Sequence, residues 1–508
     1  MHHQPGRVTR FLGAVALLAA WLLIPSLPAH ADDVSVPGPY QAGRTSVRVT
    51  RPDGTQFDSW LYYPATARGD NTPYNGSGAP YPGVSFGHGY LTDPNYYRST
   101  LEHLATWGYF VMATRSALDL FPSHSRYAQD LSSTLTYLEQ QNANPSSWLY
   151  NQVAVAQGFG LSGHSMGGGA SILAAANDPR VAALANLAAA ETNPSATAAM
   201  ANVRAPARLI AGSRDTIVPY TTTQAMYLNG RPPRQFALLD GGWHCGFLDS
   251  YLIGCDAGPM PRSQQLQLTR QLLTEFFNLY LKDQQPLWRQ VWGPERNSLP
   301  QTTLTSDPGV GLAPANVSGV AFLGGVITYT LTLTNAGPLT TALTPLAEDN
   351  AWPVSFSPPQ TAALAPGQAA AVVVQVSPPP AAGATTETAL VSARREADGG
   401  TRNYGFVTTQ AVPLALNAQA TPAGLALSWT VATAACAYEV HRDTAAYSPP
   451  TPATRLTTVA GSSYLDSTSG LGNPSLNHFY LVRAVCGAAA VTSNRVGEFD
   501  FGLTPGGS

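Results

Sequence analysis

The sequence predicts an α/β protein, a doubly wound and mostly parallel sheet, followed by two all-β sandwich domains. Three observations carry that expectation. From Tyr40 to about Ser298, short apolar runs alternate with amphipathic stretches, the order of a parallel sheet covered on both faces by helices. Within that region Gly163-His164-Ser165-Met166-Gly167 separates an apolar run from an alanine-rich one. At about Leu299 helical periodicity gives way to Thr/Val/Ala alternation broken by Pro and Gly, which reads as strands.

Length and composition bound the answer. A chain of 508 residues has room for about two to four domains, the largest with a full core. Net charge is 27 − 30 = −3 and charged residues make up 11%. Lys282 is the only lysine, and no Lys/Arg cluster marks a nucleic acid or an anionic membrane as partner. A monomer acting on neutral molecules is expected. Residues 1–31 read as a secretory signal peptide, with Arg7 and Arg10, an apolar run from Phe11 to Ile24, and Ala29-His30-Ala31. That run has 14 residues, short of the roughly 20 of a membrane span, so a secreted, extracellular protein is expected. Export favours two local disulfides, Cys245 with Cys255 and Cys436 with Cys486, over buried free thiols.

The first domain is expected at 32–298. Ser46 to Val49 and Asp58 to Tyr63 read as strands joined across Pro52-Asp53-Gly54, and Gly83 to Phe86 as the next strand, running into His88-Gly89-Tyr90. Tyr97 to Trp107 reads as a helix and Tyr109 to Ala113 as a strand. Arg126 to Gln141 carries Tyr127, Leu131, Leu135 and Leu138 on one helical face. Val181 to Ala190, Ala207 to Gly212 and Phe236 to Leu239 supply further strands, and Gln264 to Leu281 closes the domain as a helix.

The pentapeptide fits G-x-S-x-G, a sharp strand-to-helix turn that exposes a serine and that glycine permits sterically. A serine hydroxyl is a poor nucleophile at neutral pH and needs a base, and the base needs an acid to hold its tautomer. Asp215 stands at the end of one predicted strand and His244 just past the next, in the order Ser, Asp, His of an α/β-hydrolase and at the sheet edge where open α/β folds bind ligands. His164 inside the elbow, His103 in a helix, and Asp240, too near His244 in sequence, compete less well. The backbone N–H groups of Met166 and Tyr90 are the expected oxyanion-hole donors.

Beyond Leu299 two sandwiches are expected, at 299–412 and 413–508. In Val326 to Leu333 large apolar residues alternate with threonine, and Ala369 to Val376 is another strand after Ala365-Pro366-Gly367, a pattern similar to an immunoglobulin-like sandwich. Ala437 to Arg442 and Phe479 to Val485 resemble the neighbouring C and F strands of a fibronectin type III domain, which would bring Cys436 beside Cys486.

Gly89-Tyr90, Gly163 to Gly169, Asp215-Thr216-Ile217-Val218-Pro219 and Gly241-Gly242-Trp243-His244 look like the corresponding motifs of bacterial cutinases and polyester hydrolases, within the dienelactone-hydrolase-like group. The resemblance covers about Pro39 to Leu281. It implies a serine ester hydrolase that works through an acyl-serine, needs no cofactor, and uses Tyr90 and Met166 for the oxyanion hole and acyl binding. Two positions depart from the pattern. Where those enzymes carry an aromatic-stacking tryptophan, this chain has Ala190, and Trp243 and Cys245 flank the base at positions small or polar in many relatives. Trp243 is a candidate to replace the lost aromatic wall and equally a core residue. The expected partner is an ester, with an insoluble polyester as one candidate. The alternatives are a lipase or general carboxylesterase, and, outside enzymes, a protein that binds a surface or polysaccharide through its sandwiches.

Overall fold

The computed structural model describes residues 33–497 apart from 434, 435, 472, 474 and 488, and the expected leader at 1–31 lies outside them. The chain begins with an antiparallel hairpin of β1 (Gln41–Thr50) and β2 (Gln56–Ala65), turned at Gly54 with φ 82°. A two-residue strand, β3 (Gly69–Asp70), lies parallel to β1. There follow β4 (Gly83–Gly87), α1 (Arg98–Thr106), β5 (Phe110–Thr114), α2 (His124–Ala143), β6 (Phe159–His164), α3 (Met166–Asn177) and β7 (Val181–Leu187). A single helical turn, α4 (Ala196–Ala199), leads to β8 (Ala207–Gly212), α5 (Tyr220–Asn229), β9 (Arg234–Leu239) and α6 (Arg262–Leu281).

These strands and β10 (Thr302–Asp307) make one ten-stranded sheet in the order β10-β9-β8-β7-β6-β4-β5-β2-β1-β3. From β9 through β5 the neighbours are parallel. Helices cover both faces of this centre, so its strands are apolar without alternation; every residue of β5 and β6 is buried. Helix α2 turns Tyr127, Leu131, Leu135 and Leu138 onto the sheet, and Ser123 caps its first turn by accepting the Arg126 N–H at 3.3 Å. Beneath β8, Arg208 pairs with Glu275 of α6 at 2.5 Å, both buried.

The sheet runs beyond the expected limit at 298, because β10 pairs antiparallel with β9 from Thr302 to Asp307. Among the described residues no helix is long and apolar enough to cross a membrane.

The first sandwich packs β11 (Val310–Ala313), β13 (Ile327–Asn335), β16 (Ala369–Val376) and β15 (Val354–Ser357) against β12 (Asn316–Phe322), β18 (Arg402–Val412), β17 (Thr386–Arg395) and β14 (Leu343–Glu348). Inward residues of both sheets, Leu331 and Val374 from one and Val391 and Val407 from the other, share a single core. The second sandwich joins β19 (Leu416–Thr421), β20 (Gly424–Trp429) and β23 (Ser463–Asp466) in one sheet. Its other sheet holds β21 (Ala437–Asp443), β22 (Arg455–Val459), β24 (Phe479–Cys486), β25 (Ala489–Thr492) and β26 (Val496–Gly497). Antiparallel pairing of Ala437 with Val485 sets Cys436 opposite Cys486, and the two form a disulfide.

Buried aromatics join the first sandwich to the α/β sheet domain. Trp288, after α6, donates its indole N–H to Glu348 at 3.0 Å, and Arg402 of β18 lies over the Trp288 ring while bonding the same carboxylate at 2.9 Å. Tyr280 meets Thr401 at 2.8 Å.

Candidate active site

The centre of the sheet delivers three loops to one edge. Strand β6 ends at His164, and Ser165 turns the chain into α3 with φ 55° and ψ −121°. A non-glycine residue in that region is strained, and the cost is met by packing on every side. A Cβ at Gly167 would overlap the carbonyl oxygen of Gly87, and one at Gly163 would overlap that of Gly167. Strands β4 and β6 and the first turn of α3 therefore touch backbone to backbone. The Ser165 N–H donates to Leu187 at 3.0 Å, and its carbonyl accepts from Gly169 and from Ala190 at 2.9 Å.

Strands β8 and β9 end at the same edge. Asp215, after β8, uses Oδ1 to accept the N–H groups of Ile217 and Val218 at 2.9 and 2.7 Å. Its Oδ2 is left for Nδ1 of His244, 2.7 Å away in the loop after β9. A carboxylate only accepts, so Nδ1 carries a proton and Nε2 is the basic nitrogen. Ser165, Asp215 and His244 are all buried, between 4% and 8% exposed. The rings of His164 and His244 lie 4.4 Å apart, centroid to centroid, so the elbow and the His244 loop are in contact.

Met166 opens α3, so its N–H has no carbonyl one turn earlier to bond. Tyr90 follows Gly89, whose carbonyl accepts from the Thr92 hydroxyl at 2.8 Å and lies 2.8 Å from Nδ1 of His88. The Tyr90 ring is 43% exposed and its hydroxyl donates to the Leu120 carbonyl at 2.8 Å.

Two residues that carry no motif hold this turn. Tyr97 accepts the Gly89 N–H at 3.0 Å and lies 2.8 Å from Nδ1 of His164. Burial pushes the Tyr97 phenol up, while burial first and His244 second push the His164 imidazole well down. Both groups are thus neutral, and a single hydrogen bond joins the phenol to the imidazole. His88 meets the Ser116 carbonyl through Nε2 at 2.7 Å. A tyrosine at a helix start reads as packing, and its partner lies 67 positions away.

Ala190 sits half-buried beside Ser165. Trp243, the candidate for the missing aromatic wall, is only 7% exposed; its indole N–H donates to Met260 at 3.1 Å and Arg262 stacks on its ring. It packs against the start of α6. Cys245 and Cys255 form the second disulfide. His103 is buried in α1 against the Val34 carbonyl, and Asp240 accepts from Ser213 at 3.2 Å; neither is brought to Ser165 by any contact among the described residues. Among the described residues no group of three or more His, Cys, Asp or Glu is arranged to hold a metal ion.

Residues 28–250 match the model of a family described as PET hydrolase-like. The matched span contains Ser165, Asp215 and His244 and stops short of α6. This part of the chain is similar to hydrolases of the α/β-hydrolase class, and the likeness supports an ester hydrolase. No curated protein matches the chain.

Proposed function

We propose that the protein is a secreted serine ester hydrolase of the cutinase and polyester hydrolase type, acting through an acyl-serine. The observation that carries the reading is the 2.7 Å contact of His244 Nδ1 with Asp215 Oδ2, at the same sheet edge as a serine held at positive φ. In acylation, Nε2 of His244 takes the hydroxyl proton as Ser165 Oγ attacks the ester carbonyl carbon. The resulting oxyanion accepts hydrogen bonds from the Met166 and Tyr90 N–H groups, and Asp215 stabilises the imidazolium. The imidazolium then protonates the leaving alcohol oxygen as the C–O bond breaks. Water, deprotonated by the same nitrogen, attacks the acyl-serine, and the acid leaves as Ser165 recovers its proton.

An apolar, extended substrate is supported by the rim. Leu91, Leu120, Phe121, Ile217, Tyr251 and Ile253 are all exposed, Phe121 at 95% and Ile253 at 93%. They lie in the loops that follow β4, β5, β8 and β9, at the sheet edge that also carries Ser165. Exposed apolar residues gathered at one edge mark a binding surface. A general carboxylesterase is the second reading, favoured by Ala190 and by the inward packing of Trp243, which leave a flat aromatic unit without a stacking wall.

The two sandwiches, read as immunoglobulin-like and fibronectin type III-like, serve as stabilising and spacing modules, and the leader and two disulfides fit an extracellular, monomeric enzyme. The test is hydrolysis of a short-chain nitrophenyl ester and of a polyester suspension by the mature protein and by Ser165→Ala. Cleavage of the soluble ester by wild type alone is expected. No cleavage of any ester by either protein would end the enzyme reading and turn attention to surface or polysaccharide binding by the sandwiches.

A further inference from the structure

We propose that Asp256 is a positioning residue for His244, a second carboxylate that fixes the base through its backbone as Asp215 fixes it through its ring. The inference rests on the proposed role of His244. Oδ2 of Asp256 accepts the N–H of His244 at 2.9 Å and that of Thr216 at 3.2 Å, and Oδ1 accepts the N–H of Cys245 at 3.0 Å. One side chain thus spans both loops of the Asp-His pair. Three successive N–H groups after Asp215 are divided between the carboxylates, Thr216 to Asp256 and Ile217 and Val218 to Asp215.

The geometry is more than loop packing. The Cys245 to Cys255 disulfide joins the residue after His244 to the residue before Asp256, so a covalent link and three charge-assisted hydrogen bonds close one knot around the base. The same loop is also tied between those ends, since Asp249 accepts from the N–H and hydroxyl of Ser99 at 2.7 and 2.5 Å. The 2.7 Å contact of His244 with Asp215 depends on the separation of the two backbones, and Asp256 is the side chain that sets it. Loss of that constraint lets the imidazole tilt, and a misplacement near 1 Å costs about 100-fold in rate. A carboxylate has about four acceptor sites, so the three donors are accommodated without conflict.

The test compares full-length Asp256→Ala and Asp256→Asn with wild type on a soluble nitrophenyl ester, together with the downfield proton NMR resonance of His244 Nδ1–H, assigned by its loss in His244→Ala. Asp256→Ala is expected to lower kcat about tenfold or more with KM within about twofold. Asp256→Asn, which keeps one acceptor oxygen, is expected to fall between the two, and the Nδ1–H proton is expected to exchange faster in both variants. Unchanged kcat and unchanged proton exchange in Asp256→Ala would overturn the proposal. So would a rise in KM alone, or activity lost only in proportion to folded protein. Should the alanine variant fail to fold, Asp256→Asn is judged by the same two readings. If wild type cleaves no ester, the hydrolase reading falls, while the exchange rate still decides whether Asp256 holds His244.

Discussion

The His164 ring is held between two partners, the His244 ring at 4.4 Å and the Tyr97 hydroxyl at 2.8 Å. The residue between Gly163 and Ser165 is therefore a wedge. It transmits the position of the Gly89 turn, which Tyr97 also holds, to the face of the base. Tyr97→Phe strands a buried Gly89 N–H and leaves Nδ1 of His164 without its partner, at an expected cost of about 1 to 3 kcal/mol in stability. Ester hydrolysis by this variant is expected to fall as the oxyanion turn loosens. Denaturant unfolding and steady-state kinetics check both effects, and wild-type values in both would contradict the wedge.

Asp215→Asn addresses the tautomer. Oδ1 of Asp215 is committed to two N–H donors and Oδ2 to His244, so the amide must point its NH2 either at a donor N–H or at Nδ1–H. One contact turns donor against donor, and the imidazole responds by moving its proton to Nε2. The expected result is a fall in kcat of about 1,000- to 10,000-fold with the fold intact, read by kinetics beside circular dichroism. Activity within tenfold of wild type would remove Asp215 from the proposed triad.

How far the molecule was legible in its sequence follows from where its contacts are local. The strands of the parallel centre could be read because burial on both faces leaves an unbroken apolar run, as in Phe110-Val111-Met112-Ala113. The elbow could be read because only glycine fits where the Gly87 carbonyl meets Gly167. The direction of Trp243 could not, since it is set by Met260, Arg262 and Gln265, whose approach is decided by the packing of α6. Helix α5 carries no legible pattern because only Thr223, Met226 and Tyr227 are buried, too few to mark a face. The strand Thr302–Asp307 buries Leu304 alone, so nothing in it tells which sheet it joins.

Acid should destabilise the fold through His103. Its imidazole, buried in α1, is pushed down to about 4, by burial first and by Arg270 second, with the Val34 carbonyl opposing. The unfolded chain takes up the proton below about pH 6.5, whereas the folded one does so only near 4. Between those values the unfolded state binds more protons, so stability is full above the window and is lost as pH falls through it. The expected loss from pH 7 to 5 is about 2 kcal/mol from this group. In His103→Gln, which keeps a donor for Val34 and does not titrate, the difference in unfolding free energy between those pH values should shrink by that amount; an identical pH dependence would reassign the effect.

The role of the sandwiches can be decided by two truncations. A chain ending at Ser298 loses β10, which leaves the β9 edge of the sheet unpaired, and strips Glu348 and Arg402 from Trp288 and Thr401 from Tyr280. An open strand edge and newly exposed aromatics both favour aggregation, so this chain should be recovered poorly or unfold at lower temperature. A chain ending at Val412 keeps all of those contacts and gives up only the second sandwich, whose core takes Phe322 from its neighbour. It should retain soluble-ester activity close to that of the full chain. A stable, fully active protein ending at Ser298 would mean that the Trp288 junction contributes nothing to the catalytic domain; adsorption to a polyester lost only with the second sandwich would make that module a binding domain.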